Sequence, residues 1–507
     1  MTEALNPVII GTGQCTFRDI ELARSPVDGM LASARRALAS TGCDAVADSI
    51  DCIVSIPFLA RQLPDLADLL PPNAGSSLAE GLGIAPGTLL TSDFGGNLPQ
   101  WFINHCADEL VRGEYRTVLL SGCEMMATLF SGLRSGADFS AWQRGGARES
   151  TDLGSGRDPC LPQERAHGLF EPINTYPLFQ SALRHARGWS AQRQDARLGR
   201  LVSQMSEVAA NNPYAWKRDR LSAAEVLSTE AGNRMITCPY TRAMNAILAV
   251  DMAASVILTT DAHARSLGIA PRDMVYLQAG AEAEDVWYTA ERADFSRSPA
   301  LSACVSNVLA TADLASDAID HFDLYSCFPS AVEVACDALG LDTDDPRGVT
   351  LTGGLMRFGG PGNNYTMHAI ASLCEQLRAS GAGCGLISAT GGYLTKHAVG
   401  LYGVESPRVP WAERTGNALQ SGLDVLKHPT LNTRPPPGRL VIEAHAVPFA
   451  GGEPAHGIIV GRLDDGTRCL AHAVSDDLCA ALVHEDCVGR EGYLEPAEPV
   501  NLFRFQP

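Results

Sequence analysis

Basic charge is scarce in this chain. The 39 Lys and Arg stand against 58 Asp and Glu, a formal balance of −19 at pH 7. That deficit argues against a counterion-release grip on nucleic acid as the main function, so an anionic ligand must find a local basic pocket. Long apolar runs are missing too. The longest, residues 244–258, carries Asp251 and falls short of the roughly 20 residues needed to span a bilayer, so no membrane span is expected. Paired cysteine motifs are also absent. The 15 cysteines, an odd number without a CxxC pair, fit reduced core thiols better than a disulfide framework or a zinc site. Glu3 stands where a secretory leader would carry a basic flank, and Thr2 where myristoylation requires glycine. Cytoplasm is the expected compartment.

What is present is an ordinary globular composition, 45% apolar and 19% charged over 507 residues, enough for about three compact units. The first 125 residues alternate helices and short apolar strands. Ser25-Pro26 opens a helix with the stripe Val27, Met30, Leu31, Ala34 and Leu38, and Gly42 ends it. Strands are expected at 51–56, 88–92 and 117–120, and a helix at 98–112. Alternation of this kind implies crossover units and a largely parallel sheet covered by helices. Residues 130–234 differ in texture: a glycine-rich polar stretch is followed by helical segments near 176–187 and 196–210. This reads as an insertion into the sheet domain, with the sheet pattern resuming near Pro239. A second series of helices and strands (301–310, 321–325, 330–339, 364–378, 385–389) then echoes the first. The closest echo pairs LVRGEYRTVLLSG with LRASGAGCGLISATGG. Two similar α/β halves around a shared pocket are the economical reading. Beyond the stiff RPPPG linker, strand-like runs at 440–446, 457–463 and 468–473, with Asp465-Gly466 as a hairpin turn, predict a small β domain.

Three glycine-bearing or aromatic corners are candidate site elements. Tyr325-Ser326-Cys327-Phe328 ends a strand and starts a helix, a position that suits an anion or oxyanion site and equally a buried core turn. GGLMRFGGPGNNY (353–365), with Gly360 and Gly362, permits backbone approach to a ligand; Asn363 or Asn364 can cap the next helix, and His368 lies in its first turns. ATGGYLTKHA (389–398) places Gly391 and Gly392 beside Tyr393, Lys396 and His397. For an anionic ligand the insertion offers Arg184, His185 and Arg187. The run NPYAWKRDR sets Trp216 beside Lys217, Arg218 and Arg220, suited to a nucleotide diphosphate with a stacked base and equally to a solvated helix face.

At these residues the chain resembles the thiolase superfamily in its sterol-carrier-protein-type and type-1 thiolase-like branches. The resemblance is carried by PVIIGTGQCTFRD, SGCEMM, CPYTRAMNAILAVDMAASVIL, DLYSCFPSAVEVA and ISATGGYLTKHAVGLYG. The tail GIIVGRLDDGTRCLAHAV is similar to the additional β domain of the type-1 proteins. The resemblance implies a duplicated thiolase fold: two α/β halves forming an αβαβα core, an inserted loop domain and a small C-terminal OB-like β domain. The expected division is 1–130 (completed by 235–275), 131–234 as the CoA-binding insertion, 276–410, and 428–507. It also implies coenzyme A or acyl-CoA as ligand or substrate, held without a covalent link, in acyltransferase chemistry of lipid metabolism. No metal is implied.

The departures from the family pattern fall on its reactive groups. Gly95 or Gly96 stands at the position of the nucleophilic cysteine, Gly360 at that of the catalytic histidine before Pro-x-Gly, and Ala389 at that of the second cysteine. Glycine provides neither a thiolate nor a base, so the groups for orthodox thiolysis are missing. Three readings follow: an acyl-CoA-binding homologue; a CoA-thioester retro-aldol lyase; and a non-catalytic scaffold whose C-terminal domain docks a protein partner. In the lyase, Tyr325 would take the β-hydroxyl proton, helped by Tyr365, Tyr393, His368 or His397. Cys327 stays a candidate, in a motif position that is not the family's nucleophile. The resemblance allows a monomer or a homodimer.

Overall fold

The computed structural model describes residues 5–143, 145–230, 232–414 and 419–505. The first half is built on Pro7–Thr16, which runs antiparallel to Asp251–Thr260, itself antiparallel to Thr117–Met125. Cys52–Ser55 and Thr88–Thr91 then add in parallel, and Thr151–Asp152 pairs with the outer edge. The second half repeats this order. Val275–Glu284 is antiparallel to Lys396–Gly403, that strand is antiparallel to Cys384–Gly391, and His321–Asp323 adds in parallel. The halves join where Val8 faces Tyr276 and Ile9 faces Val275.

Strand periodicity sends alternate side chains to opposite layers. In the first strand Ile9 points to the central core, while Val8 and Ile10 point to the outer one. Helices Leu98–Arg112 and Tyr365–Ser380 fill the central layer, packing Ile103, Leu110, Tyr365 and Ile370 against Val256 and Ile387. Pro26–Ser40, capped reciprocally by Ser25 and Asp28, and Ala74–Leu82 cover one outer face. Pro299–Ala312 and Pro329–Leu339 cover the other. The result is the five-layered duplicated α/β core.

Two local expectations are corrected, and three strands come as additions. The third strand does not stop at Leu120 but continues to Met125, because Ser121 through Met125 keep pairing with Ser255 through Asp251. The core sheet resumes at Asp251 rather than near Pro239. Met235–Cys238 instead pairs with the C-terminal strand Gly438–Ala450, whose edge is open there (Val447 opposite Cys238). Strands Pro7–Thr16, Val275–Glu284 and Lys396–Gly403 had no clear signal of their own, since glycines interrupt their apolar pattern. Gly400, for example, lies against the side chain of Gln100, where a Cβ would not fit.

The C-terminal strands Gly438–Ala450, Gly457–Leu463, Arg468–Ala473, Leu502–Arg504 and Glu491–Glu495 pair in that order and back to the first, closing a five-stranded barrel. Asp465-Gly466 makes the expected turn, with Thr467 N donating to Asp465 Oδ1 at 2.8 Å. Leu440, Ile459, Leu494 and Phe503 fill the barrel. The fully buried Arg468, held within the barrel by Glu443 Oε2 at 2.6 Å, ties it to the core by donating to Ala290 O at 2.8 Å and Arg292 O at 2.5 Å. All fifteen cysteines are free thiols.

Candidate functional site

Two corners that lead into the central helices meet between the sheets. One is Gly95-Gly96-Asn97, leading into Leu98–Arg112; the other is Asn363-Asn364, leading into Tyr365–Ser380. Gly95 N donates to Asn363 Oδ1 at 2.9 Å, and Thr366 Oγ1 donates to Gly96 O at 2.7 Å. Asn363 Nδ2 and Asn364 Nδ2 donate to Pro57 O and Gly122 O at 2.9 and 2.8 Å. Asn97 Oδ1 is buried without a donor. It wedges between Gly95 and Gly391, where a Cβ on either would collide with it.

Tyr325 follows His321–Asp323, its backbone N–H donating to Ser388 Oγ at 3.1 Å and its ring meeting Tyr365 edge to face at 5.6 Å. Its hydroxyl lies where a side chain on Gly96 would begin, so a Cβ there would run into Tyr325 Oη. The position at which the resemblance places a nucleophile is therefore filled by a phenol from the other half. Burial, with Cys327 adding to it, pushes the Tyr325 pKa up, and the neutral phenol is a proton donor at pH 7 rather than a ready base. Burial likewise pushes the Cys327 thiol up to about 12, against a hydrogen bond with Tyr176. It is a thiol, not a thiolate, at neutral pH.

The two histidines are held in different networks, and of the two only His397 also lines the central cleft. His368 is fully buried on the central helix, its Nδ1 2.9 Å from Gln14 Oε1 and its Nε2 unpartnered, and burial lowers its pKa to about 3. It is a neutral core histidine. His397 Nε2 lies 3.0 Å from Leu394 O and 3.1 Å from Ser298 Oγ, with Asp285 at 3.5 Å. Burial alone would raise the Asp285 carboxyl, but the Arg292 guanidinium at 2.9 Å and the His397 and Ser298 contacts override it and hold it well below the usual range. That cluster also receives Ala300 N at 3.0 Å and so fixes the start of Pro299–Ala312.

Three residues of the centre carried no sequence signal beyond their type: Asn97, Asp93 and Glu124. Glu124 sits in the otherwise apolar end of Thr117–Met125, accepts from Leu59 N at 2.6 Å, and has its carboxyl pushed by burial from 4.5 to about 8. It presses on Gly362, whose φ of +49 and lack of a side chain leave room for it. Buried Lys396 pairs with Asp93 at 3.3 Å and donates to Phe94 O, beside Gly95. A cleft of about 360 Å³ opens here, lined by Asp93, Asn97, Trp101, Glu282, Lys396 and His397. Gly391 packs under Asn97, and Gly392 O accepts from Tyr176 Oη at 3.2 Å.

The proposed ligand-binding cations separate into two places. Trp216 N and Lys217 N donate to Phe358 O and Arg357 O at 2.6 and 3.0 Å, laying this run along the glycine loop that holds Gly360 and Gly362. Lys217, Arg218 and Arg220 are exposed, and Trp216 is half-buried. Arg218 Nη2 donates to Ala210 O at 3.2 Å, near the end of helix Ala191–Asn211. Arg184 is not with them: it is buried beside Asp195 at the other end of that helix, with Nη2 donating to Glu485 O of the C-terminal domain. Fifteen helical residues, about 22 Å, separate the two ends. Among the described residues no group of three or more His, Cys, Asp or Glu is placed to hold a metal ion, and no helix is long and apolar enough to cross a membrane.

Comparison with known proteins accords with this geometry. Residues 418–498 match the family model of the thiolase-like protein type 1 additional C-terminal domain. No curated protein matches the chain by sequence. Among solved structures, the monomeric SCP2-thiolase like protein type 1 (STLP1) from Mycobacterium smegmatis aligns at TM-score 0.83 and 32% identity, over 98% of this chain and 99% of its own. The Ltp2-ChsH2(DUF35) aldolase aligns at 0.58 and 16% identity, over 78% of this chain and 97% of its own. Acetyl-CoA acetyltransferase from Syntrophomonas wolfei aligns at 0.54 and 15% identity, over 80% and 100%. The last two likenesses are of fold alone. The first, near full length on both sides and joined to the matching C-terminal domain, decides the family: the chain belongs to the SCP2-thiolase-like proteins of type 1.

Proposed function

We propose that this protein binds coenzyme A or an acyl-CoA thioester without covalent acylation, as an acyltransferase-family member that has lost Claisen chemistry. The observation that carries the reading is the Gly96–Tyr325 contact: a nucleophile cannot be rebuilt at Gly96 while the phenol fills its place. The basic run Trp216, Lys217, Arg218 and Arg220 beside the Gly360 and Gly362 loop supports an anionic phosphate end. Calorimetric titration with CoA and a medium-chain acyl-CoA tests it. Saturable binding without a protein-bound acyl group is expected; no binding at millimolar ligand removes the proposal.

A second reading is favoured by Tyr325 itself, whose Oη has no hydrogen-bond partner among the described residues. A neutral phenol at the Gly96 corner is suited to relay protons in a retro-aldol cleavage of a β-hydroxyacyl-CoA: it would take the β-hydroxyl proton as the Cα–Cβ bond breaks and give its own proton to the α-carbon of the enolate, which backbone donors would hold. The likeness to the Ltp2-ChsH2(DUF35) aldolase fits this reading, with the fused five-stranded barrel, which we propose to be OB-like, in place of a separate partner. Tyr325→Phe assayed against a β-hydroxyacyl-CoA decides it: undiminished carbonyl release rules the role out. We further propose a cytoplasmic protein and, because Thr151–Asp152 pairs along the sheet edge at Leu90 and Thr91 and so covers it against a second copy, a monomer. Light scattering checks the state.

A further inference from the structure

The seam between the inserted helices and the barrel encloses a cavity of about 250 Å³, apart from the centre described above. Its walls come from helix Pro172–Ala186 (Arg184), helix Ala191–Asn211 (Asp195), the barrel strand Gly438–Ala450 (His445) and the barrel helix Asp476–His484 (Leu482), with Leu227 and Met235 completing an apolar side. Three polar side chains here leave hydrogen-bonding capacity unused. Arg184, 5% exposed, gives only Nη2 to an acceptor, the backbone O of Glu485, and its Nε is unpartnered. His445, 6% exposed, has Nε2 without a partner, and burial with the nearby Arg184 charge lowers its pKa to about 3, so the ring is neutral. Asp195 has no hydrogen bond or ion pair among the described residues, although Arg184 is near enough to act on its carboxyl; burial raises its pKa.

Buried polar groups are almost always satisfied, and two buried open ones, Arg184 Nε and His445 Nε2, around one cavity beside the half-buried Asp195 carboxyl mark a place for something else. A cation and a carboxylate that face one cavity without pairing complement a ligand carrying both charges. The apolar wall adds room for a hydrocarbon side chain.

We infer that this cavity binds a small apolar zwitterion of the α-amino-acid class, its carboxylate on Arg184, its ammonium on Asp195 and its side chain against Leu227, Met235 and Leu482. The ligand would pin the barrel to the inserted helices, and the site is independent of the CoA reading.

L-leucine is the probe, titrated into the full chain by calorimetry and followed by chemical-shift changes. L-leucinamide lacks the carboxylate and isocaproate lacks the ammonium. Saturable leucine binding is expected, with each analogue about tenfold weaker or worse. Asp195→Asn should weaken leucine about tenfold and leave a CoA titration unchanged. Arg184→Gln should do the same to leucine; because Arg184 also holds Glu485 O, the unpartnered, half-buried Asp195 is the variant that keeps the test safe from misfolding. Absence of saturable leucine binding, equal binding of all three compounds, or full affinity in Asp195→Asn overturns the site.

Discussion

The two halves share one strand order but part company at two equivalent points. Between the strand ending at Met125 and the strand starting at Asp251 the first half inserts helices Pro172–Ala186 and Ala191–Asn211, where the second half turns between Gly391 and Lys396. At the corners before the central helices, the first half presents Gly95 and Gly96, bare of side chains, while the second presents Asn363 and Asn364, whose amides stitch both halves together. A duplicated fold can thus divide its labour: one copy carries the inserted helices and the bare corner, and the other fills the space at that corner with Tyr325 and fixes the geometry.

The sharpest way to break this comparison is to return a side chain to the bare corner. Gly96→Cys should cost about 3 kcal/mol of stability by driving Sγ and Cβ into Tyr325, and Tyr325→Leu in the same chain should recover part of it. Denaturant melts of the single and double variants check this, and additive costs would show that the two residues do not share the space.

The next effect concerns Glu124, the acidic group at the strand end of the first half. Its folded pKa of about 8 lies above the ordinary 4.5. The stabilising protonated form is then complete below the unfolded value and is lost as pH rises through the folded one. Stability should fall by about 2 kcal/mol between roughly pH 6 and pH 8. Glu124→Gln should flatten that slope, and thermal melts across pH report it. A pH-independent wild type would contradict the buried acid.

Smaller again is Asn363→Ala, which removes the acceptor of Gly95 N and the donor to Pro57 O. A loss of about 1.5 kcal/mol is expected, with weaker acyl-CoA binding if the corner shapes that site. Least of all is Cys327→Ala. With its thiol held near 12, thiol-reagent labelling of the wild type at neutral pH should be slow there, and the variant should keep CoA affinity within about twofold.

The legible parts of the molecule were those with local signals. The helix at 98–112 was read to the residue, and the strands 457–463 and 468–473 with their Asp465-Gly466 turn likewise, because caps, glycine stops and short apolar runs act within a few residues. Strands Pro7–Thr16 and Lys396–Gly403 were not legible, since their glycines answer to helices packed against them rather than to turns. Of the candidate catalytic residues, Tyr325 meets the Gly96 corner and His397 lines the cleft beside Lys396 with its Nε2 near Ser298 and Leu394, while His368 is held by Gln14 and Cys327 contacts Tyr176. A histidine one helical turn from a corner reads the same in sequence whether it faces a cavity or a strand.

By itself the sequence determined the duplicated α/β plan, the family and the glycines at the bare corner, for these are matters of residue identity and short-range pattern. Only tertiary structure decided that Tyr325 reaches across to Gly96, that Met235–Cys238 belongs to the barrel and that Arg184 faces Asp195 rather than Trp216. Each of those joins residues far apart in the chain, and what places them is the packing of layers, a property that no local window of sequence contains.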